Sequence, residues 1–316
     1  CNSGAEANEG AIKLAKKYGK KNKNGAYHII TALNSFHGRT MMNVSATGQP
    51  HYQELFEPIP TGFSHVPYND LEAIKESTTD NTVAVMIEPV QGEGGVNVPS
   101  VEYLRGVRDW CDQNNMLLIF DEVFSLRGGY RGMQGEYGVT PDLTATGKLV
   151  GGGFPIGVFG GRSDVMDVFN VLADGGAKVT HGGTHNAHPV SIAAGIASMK
   201  LWDQAAVTHI NGLGKRVRQG IDAALRDAGI PGTTYGYGSM IGWFYTEDEL
   251  HTYRDIHTEQ HQKGDKCKLF KHWLNNGILA AARGVLILST VMTEAEIDHL
   301  IEQTSEAFKA IQTSKR

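Results

Sequence analysis

The chain has 316 residues, 41% of them hydrophobic and 20% charged, with a formal net charge of −5 and a pI near 6.2. That length and balance suit a large globular domain with a smaller one beside it, and exclude a low-complexity or disordered chain. Weak acidity with scattered lysines and arginines leaves no footprint for nucleic acid or an anionic membrane, and three dispersed cysteines, Cys1, Cys111 and Cys267, exclude a disulfide framework or a zinc site.

In chain order, "CNSGAEANEGAIKLAKKYGKK" reads as a strand end, a glycine turn and a helix with no strand in front, so a segment upstream of it is expected. Residues 5–17 carry Ala11, Ile12 and Ala15 at helical period, and the short β-branched run 26–33 predicts a strand. "TVAVMIEPV" (82–90) and "MLLIFDEV" (116–123) are continuous apolar runs, the pattern of strands buried on both faces. Between them, residues 101–113 place Val101, Leu104, Val107 and Trp110 on one side of a helix. Strand, helix and strand at this spacing form a crossover unit, which predicts a mostly parallel sheet.

"DLTATG" and "IGVFGG" predict two further strands around the glycine turn 151–153, and helical patterns cover residues 189–228. "PGTTYGYGS" (231–239) reads as a linker. Beyond it come a strand in "MIGWFYT", a helix over 252–275, a strand in "GVLILST" and a helix over 294–311. The expectation is an α/β protein with a large domain over 1–230 and a small C-terminal α/β domain over 231–316. No apolar run reaches membrane-spanning length and no secretory signal opens the chain, so a cytoplasmic protein is expected.

In open parallel sheets, ligands bind at the carboxyl ends of strands. Glu88, Asp121 and Lys148 each stand at or just past such an end. Any one of them alone is an ordinary surface residue. Beside clustered glycines, the three together point to one ligand site. Ser3, Gly4 and Ala5 open a helix, where free N–H groups and the dipole favour an anion, although Ser3 is equally a good N-cap.

Taken together, "NSGAEANEGAIKLAKKY", "FHGRT", "VPYNDLEAI", "IEPVQGEGGV", "LLIFDEV", "GVTPDLTATGKLVGGGFPIGVFGG" and "GGTHNAHPVSIAAG" resemble the class III pyridoxal-phosphate-dependent aminotransferases of fold type I. The likeness runs in order from residue 2 to 195, and the remainder fits the C-terminal lobe more loosely. It implies pyridoxal 5′-phosphate as cofactor, with Lys148 bonding the cofactor aldehyde and moving the substrate proton, and Asp121 pairing with the ring nitrogen to keep it protonated. It also implies Phe36 and Val123 on the two faces of the ring, Ser3, Gly4 and Ala5 near the phosphate, His37 among the cofactor-binding residues, and Glu88 beside the cofactor, ordering the site. Glu93 matches an acid that pairs with a substrate-binding arginine or faces solvent. Thr184 resembles a threonine that reaches the phosphate of a partner subunit, which implies a homodimer. No metal is expected.

The activity implied is amino transfer from an amine or amino acid to a keto acid acceptor in two alternating half-reactions. Three departures bear on it. Phe124 stands where members carry a glutamine that contacts the ring hydroxyl, which leans towards the branch resembling glutamate-1-semialdehyde 2,1-aminomutases. The stretch "GVLILSTVM" lacks the arginine that clamps a substrate carboxylate, and Arg283 a few residues earlier is either a substitute or an ordinary surface residue. The upstream segment that contributes pocket residues in the family is not in the sequence. The alternatives are therefore an aminomutase, or a truncated remnant without activity.

Overall fold

The computed structural model describes residues 1–174, 176, 178–245, 260–281 and 284–314. They form two compact units: Cys1–Gly94 with Pro99–Trp202, and Gly95–Val98 with Asp203–Arg316.

The first unit runs α1 (Gly4–Asn22), β1 (His28–Ala32), α2 (Met41–Ala46), α3 (Pro50–Gln53), β2 (Phe63–Val66), α4 (Leu71–Ser77), β3 (Thr82–Ile87), α5 (Val101–Gln113) and β4 (Leu117–Asp121). It continues with α6 (Gly132–Tyr137), β5 (Leu143–Gly147), β6 (Gly157–Gly161), α7 (Ser163–Met166) and α8 (Pro189–Leu201). The six strands make one sheet in the order β2-β1-β3-β4-β5-β6. All neighbours are parallel except β5 and β6. This is the mostly parallel α/β sheet that the two apolar runs predict. Every residue of β3 and β4 is buried, as strands covered on both faces must be. Ile12 and Leu14 of α1 pack with Ile29, Met86, Leu117, Ile119 and Leu143 of the sheet in one core. Full burial of each such side chain contributes about 1.5–3 kcal/mol. β2 was not legible in the sequence, because three of its four residues are only half-buried and its pattern carries a serine and a histidine.

The second unit holds α9 (Gln204–Asp227), β7 (Thr233–Tyr237), β8 (Met240–Phe244), α10 (Gln260–Asn275), β9 (Leu286–Ile287) and α11 (Glu294–Thr313). Its three strands form an antiparallel sheet, β7-β8-β9. Trp243, Trp273 and Phe308 are fully buried and anchor its core with Val217 and Ile221 of α9. Helix α11 begins on a capping box, the Thr293 hydroxyl accepting from the backbone while the Glu296 carboxylate accepts from the Thr293 N–H at 2.7 Å.

Two sequence expectations change here. The stretch 231–239 is not a linker: Thr233–Tyr237 is a strand, and the positive φ of Gly236 (132°) and Gly238 (53°) turns it into β8. The Met240 carbonyl leaves no space for a side chain at 236, so the glycines that suggest a linker are the requirements of a hairpin. The division between units falls at Asp203, not at residue 231, because α9 shares its apolar face with α11 and β8. Of the helix predicted over 252–275, Gln260–Asn275 is observed; residues 252–259 and Arg283 lie outside the described residues.

Candidate active site

A cavity of about 260 Å³ opens at the carboxyl ends of β1, β3, β4 and β5, with Asp121 and Lys148 both in its lining. Strands β4 and β5 are paired neighbours, Asp121 standing opposite Ala145, so the acid and the amine reach one space from adjacent strand ends. Lys148 leaves β5 in the left-handed region, with φ of +48°, and its side chain is exposed. A lysine there is strained, and such strain concentrates at functional sites. The Nζ lies 5.5 Å from the centre of the Phe124 ring, within range of a cation–π contact.

Asp121 is 3% exposed and held from three directions. Its Oδ2 accepts from Asn8 Nδ2 at 2.7 Å and meets His37 Nδ1 at 2.8 Å, while its Oδ1 accepts from the Val123 N–H at 3.0 Å. Asn8 also donates to the His37 carbonyl at 2.8 Å, which fixes the histidine backbone beside the acid. The next residue, Glu122, points the other way, as alternate positions on a strand must. Its buried carboxylate accepts from the backbone of Met133 and Gln134 and from the Ser125 hydroxyl, tying α6 to the end of β4. Burial raises its pKa, and those hydrogen bonds oppose the rise.

Phe36 and Val123 are both in the lining. A Cβ at Gly4 would come within 2.6 Å of Val123 Cγ1, so only glycine lets the start of α1 approach that wall. Gly4 and Ala5 also line the cavity. Ser3 Oγ caps α1 by accepting from the Glu6 N–H at 3.2 Å, and the Ser3 carbonyl accepts from the Ala7 N–H. The Gly4 and Ala5 amides have no partner among the described residues and remain for an anion. Ser3 itself is not in the lining: its hydroxyl is occupied as the cap.

Glu88, just past β3, is 4% exposed. It accepts from the Phe36 N–H at 2.8 Å and the Gly92 N–H at 3.1 Å. Burial pushes its carboxyl up to about 7; His37 and the two N–H groups oppose this, and the charge of Asp121 adds to it. Glu93 is half-exposed in the lining. Thr184 is exposed in a turn outside the lining.

Four residues of the cavity lining, Asn8, Gly38, Arg39 and Gly92, escaped the sequence reading. Asn8 lies one turn beyond Gly4 on the same face of α1, a spacing that could have revealed it. Arg39 follows His37 by two residues, and its guanidinium stacks 4.9 Å from the centre of the Phe36 ring at the cavity rim. Gly92 lies against Phe124, whose Cγ would be 2.8 Å from a Cβ there. The donor set fits a phosphorylated aromatic aldehyde. An amine can bond the carbonyl, an acid can face a ring nitrogen, apolar walls stand beside both, and helix amides await a phosphate. Two buried polar atoms at the same walls, His37 Nε2 and Asn8 Oδ1, have no partner among the described residues.

The model of the family "Aminotransferase class-III" matches residues 1–311. The acetylornithine aminotransferase of Methanocaldococcus jannaschii is 46% identical over 208 residues, 65% of this chain and 50% of that one, so the chain spans about half the length of that relative. The glutamate-1-semialdehyde 2,1-aminomutase 2 of Halalkalibacterium halodurans is 33% identical over 325 residues, 98% of this chain and 73% of the other. Among solved structures, an omega-transaminase from Sphaerobacter thermophilus superposes with a TM-score of 0.89 at 31% identity, covering 98% of this chain and 73% of that one. The chain belongs to the class-III aminotransferase family.

Proposed function

We propose that the protein is a pyridoxal-phosphate-dependent aminotransferase that moves an amino group from an amine or amino acid to a keto acid by alternating half-reactions. The observation that carries this reading is the meeting of Lys148 and Asp121, from neighbouring strands, in one cavity. Pyridoxal 5′-phosphate supplies an aldehyde that exchanges amino groups and a ring that accepts the electron pair left when a substrate C–H proton departs. Lys148 Nζ holds the cofactor and afterwards carries that proton. Asp121, kept in place by Asn8, His37 and Val123, presents its carboxylate to the ring nitrogen, and a charge-assisted hydrogen bond there contributes about 1.5–3 kcal/mol. The Gly4 and Ala5 amides bind the phosphate, and Phe36 and Val123 flank the ring. Glu88 orders the walls. Arg39 at the rim, a planar fork with exposed donors, takes a substrate carboxylate, and Glu93 faces the same substrate.

A homodimer completes the site. Helix α8 exposes Val190, Ile196 and Leu201, and Phe154 and Val158 add to the apolar surface of this unit. Thr184 lies just ahead of α8, so a second copy seated on that helix brings the threonine towards the other subunit's phosphate. Among the described residues no helix is long and apolar enough to cross a membrane. The cysteines Cys1, Cys111 and Cys267 are free, which suits the cytoplasm.

The second reading is an aminomutase, supported by the aminomutase relative and by Phe124, which offers the cofactor hydroxyl no hydrogen bond. The complete set of an amine, an acid, aromatic and aliphatic walls and helix amides disfavours an inactive remnant. Amine transfer to added pyruvate or 2-oxoglutarate separates the readings. An aminotransferase consumes its donor only while an acceptor is supplied. Turnover of a single substrate at an unchanged rate without any acceptor would refute the proposal in favour of the mutase.

A further inference from the structure

We propose that Glu88 is a positioning residue that fixes the Phe36 wall of the cavity against its Gly92–Glu93 rim by accepting one backbone hydrogen bond from each. This rests on the coenzyme reading only for what the cavity serves; the clasp itself is a property of the chain. In the sheet order β2-β1-β3-β4-β5-β6, strands β1 and β3 are adjacent but not consecutive, so their outgoing loops lead to different connections. Such a switch point opens a crevice, and no strand pairing holds its two lips together. Phe36 and His37 are on one lip, Gly92 and Glu93 on the other, and the Glu88 carboxyl spans them at 2.8 and 3.1 Å. A third loop fastens the clasp: the Tyr68 hydroxyl, after β2, donates to the Glu88 carbonyl at 2.8 Å.

The choice of an acid is informative. Among the described residues no cation pairs with Glu88, so its charge is balanced only by neutral N–H groups and by His37, with Asp121 facing it as a like charge. The other charged groups at the cavity are Arg39, Glu93 and Lys148. An ionised carboxyl has two full acceptor oxygens, one for each lip, whereas a protonated one has a single full acceptor and a hydroxyl oxygen that accepts more weakly. Since burial pushes this carboxyl up to about 7, both lips are held by full acceptors above that pH and one hydrogen bond is weakened below it.

Amide hydrogen exchange of the full chain without added coenzyme tests this. In Glu88→Gln, which keeps the shape but one acceptor oxygen, the Phe36 or Gly92 amide should lose protection roughly tenfold at pH 8, while amides of β3 and β4 keep theirs. Glu88→Asp keeps the charge but is a methylene too short for both lips, and should lose protection at one of them. In the unaltered chain, both amides should be better protected at pH 8 than at pH 6 after correction for intrinsic rates, which decides the matter even where a variant does not fold. Wild-type protection at both amides in Glu88→Gln, or equal protection at the two pH values, would overturn the proposal. A chain that shows the clasp but fails to bind pyridoxal phosphate would overturn the coenzyme reading alone.

Discussion

Asp121→Asn separates what the acid does for folding from what it does for chemistry. In the native site its two oxygens face N–H donors on opposite sides, Val123 on one and Asn8 with His37 on the other. An asparagine keeps the shape but turns one oxygen into an NH2. Either orientation sets that NH2 against at least one buried donor, because the Val123 amide and the Asn8 NH2 can only give. One buried donor left without an acceptor costs about 1–3 kcal/mol. A change of that size lowers Tm by several degrees in a unit of this length, at roughly 2–4 °C per kcal/mol. Loss of the charged partner of the ring nitrogen should also weaken the coenzyme by about tenfold or more. The assays are a thermal melt without added coenzyme, an absorbance titration with pyridoxal phosphate, and turnover. An unchanged Tm would refute the account of three converging donors. Unchanged coenzyme affinity and turnover, whatever the melt shows, would refute the role given to Asp121.

Lys148→Ala should abolish transamination and leave a folded chain, and borohydride reduction of the unaltered holoenzyme should fix the cofactor mass on the peptide bearing Lys148. An adduct on another lysine would refute the assignment. Ile196→Asp, on the exposed face of α8, should shift the protein from dimer to monomer in light scattering and weaken coenzyme binding in step. A dimer that survives the charge would place the interface elsewhere.

Strands β3 and β4 were legible because burial on both faces writes an unbroken apolar run into the sequence, and Glu88 and Asp121 stand where those runs end, whereas Lys148 follows the half-buried, alternating β5 and was marked by the glycines after it. β7 was hidden for the opposite reason: a strand rich in glycine and tyrosine has the composition of a loop until its antiparallel partner is known. Ser3 suited either a cap or a phosphate contact, and only the placement of Glu6 commits its hydroxyl to the cap. The spacing from Gly4 puts Asn8 on the cavity face of α1, but its bond to Asp121 was not legible, since that partner is 113 residues away and the two meet only when α1 packs on the sheet. The boundary at Asp203 depends on which neighbours α9 buries against, and the periodicity of one helix does not name its partners.

The left-handed backbone at Lys148 bears on how a copy that had lost the proposed chemistry would be recognised. Holding a side chain in that conformation costs about 1–2 kcal/mol, a burden glycine would not carry. A descendant freed from its chemistry would gain stability by losing this amine, so glycine at that turn would be the mark of an abandoned site.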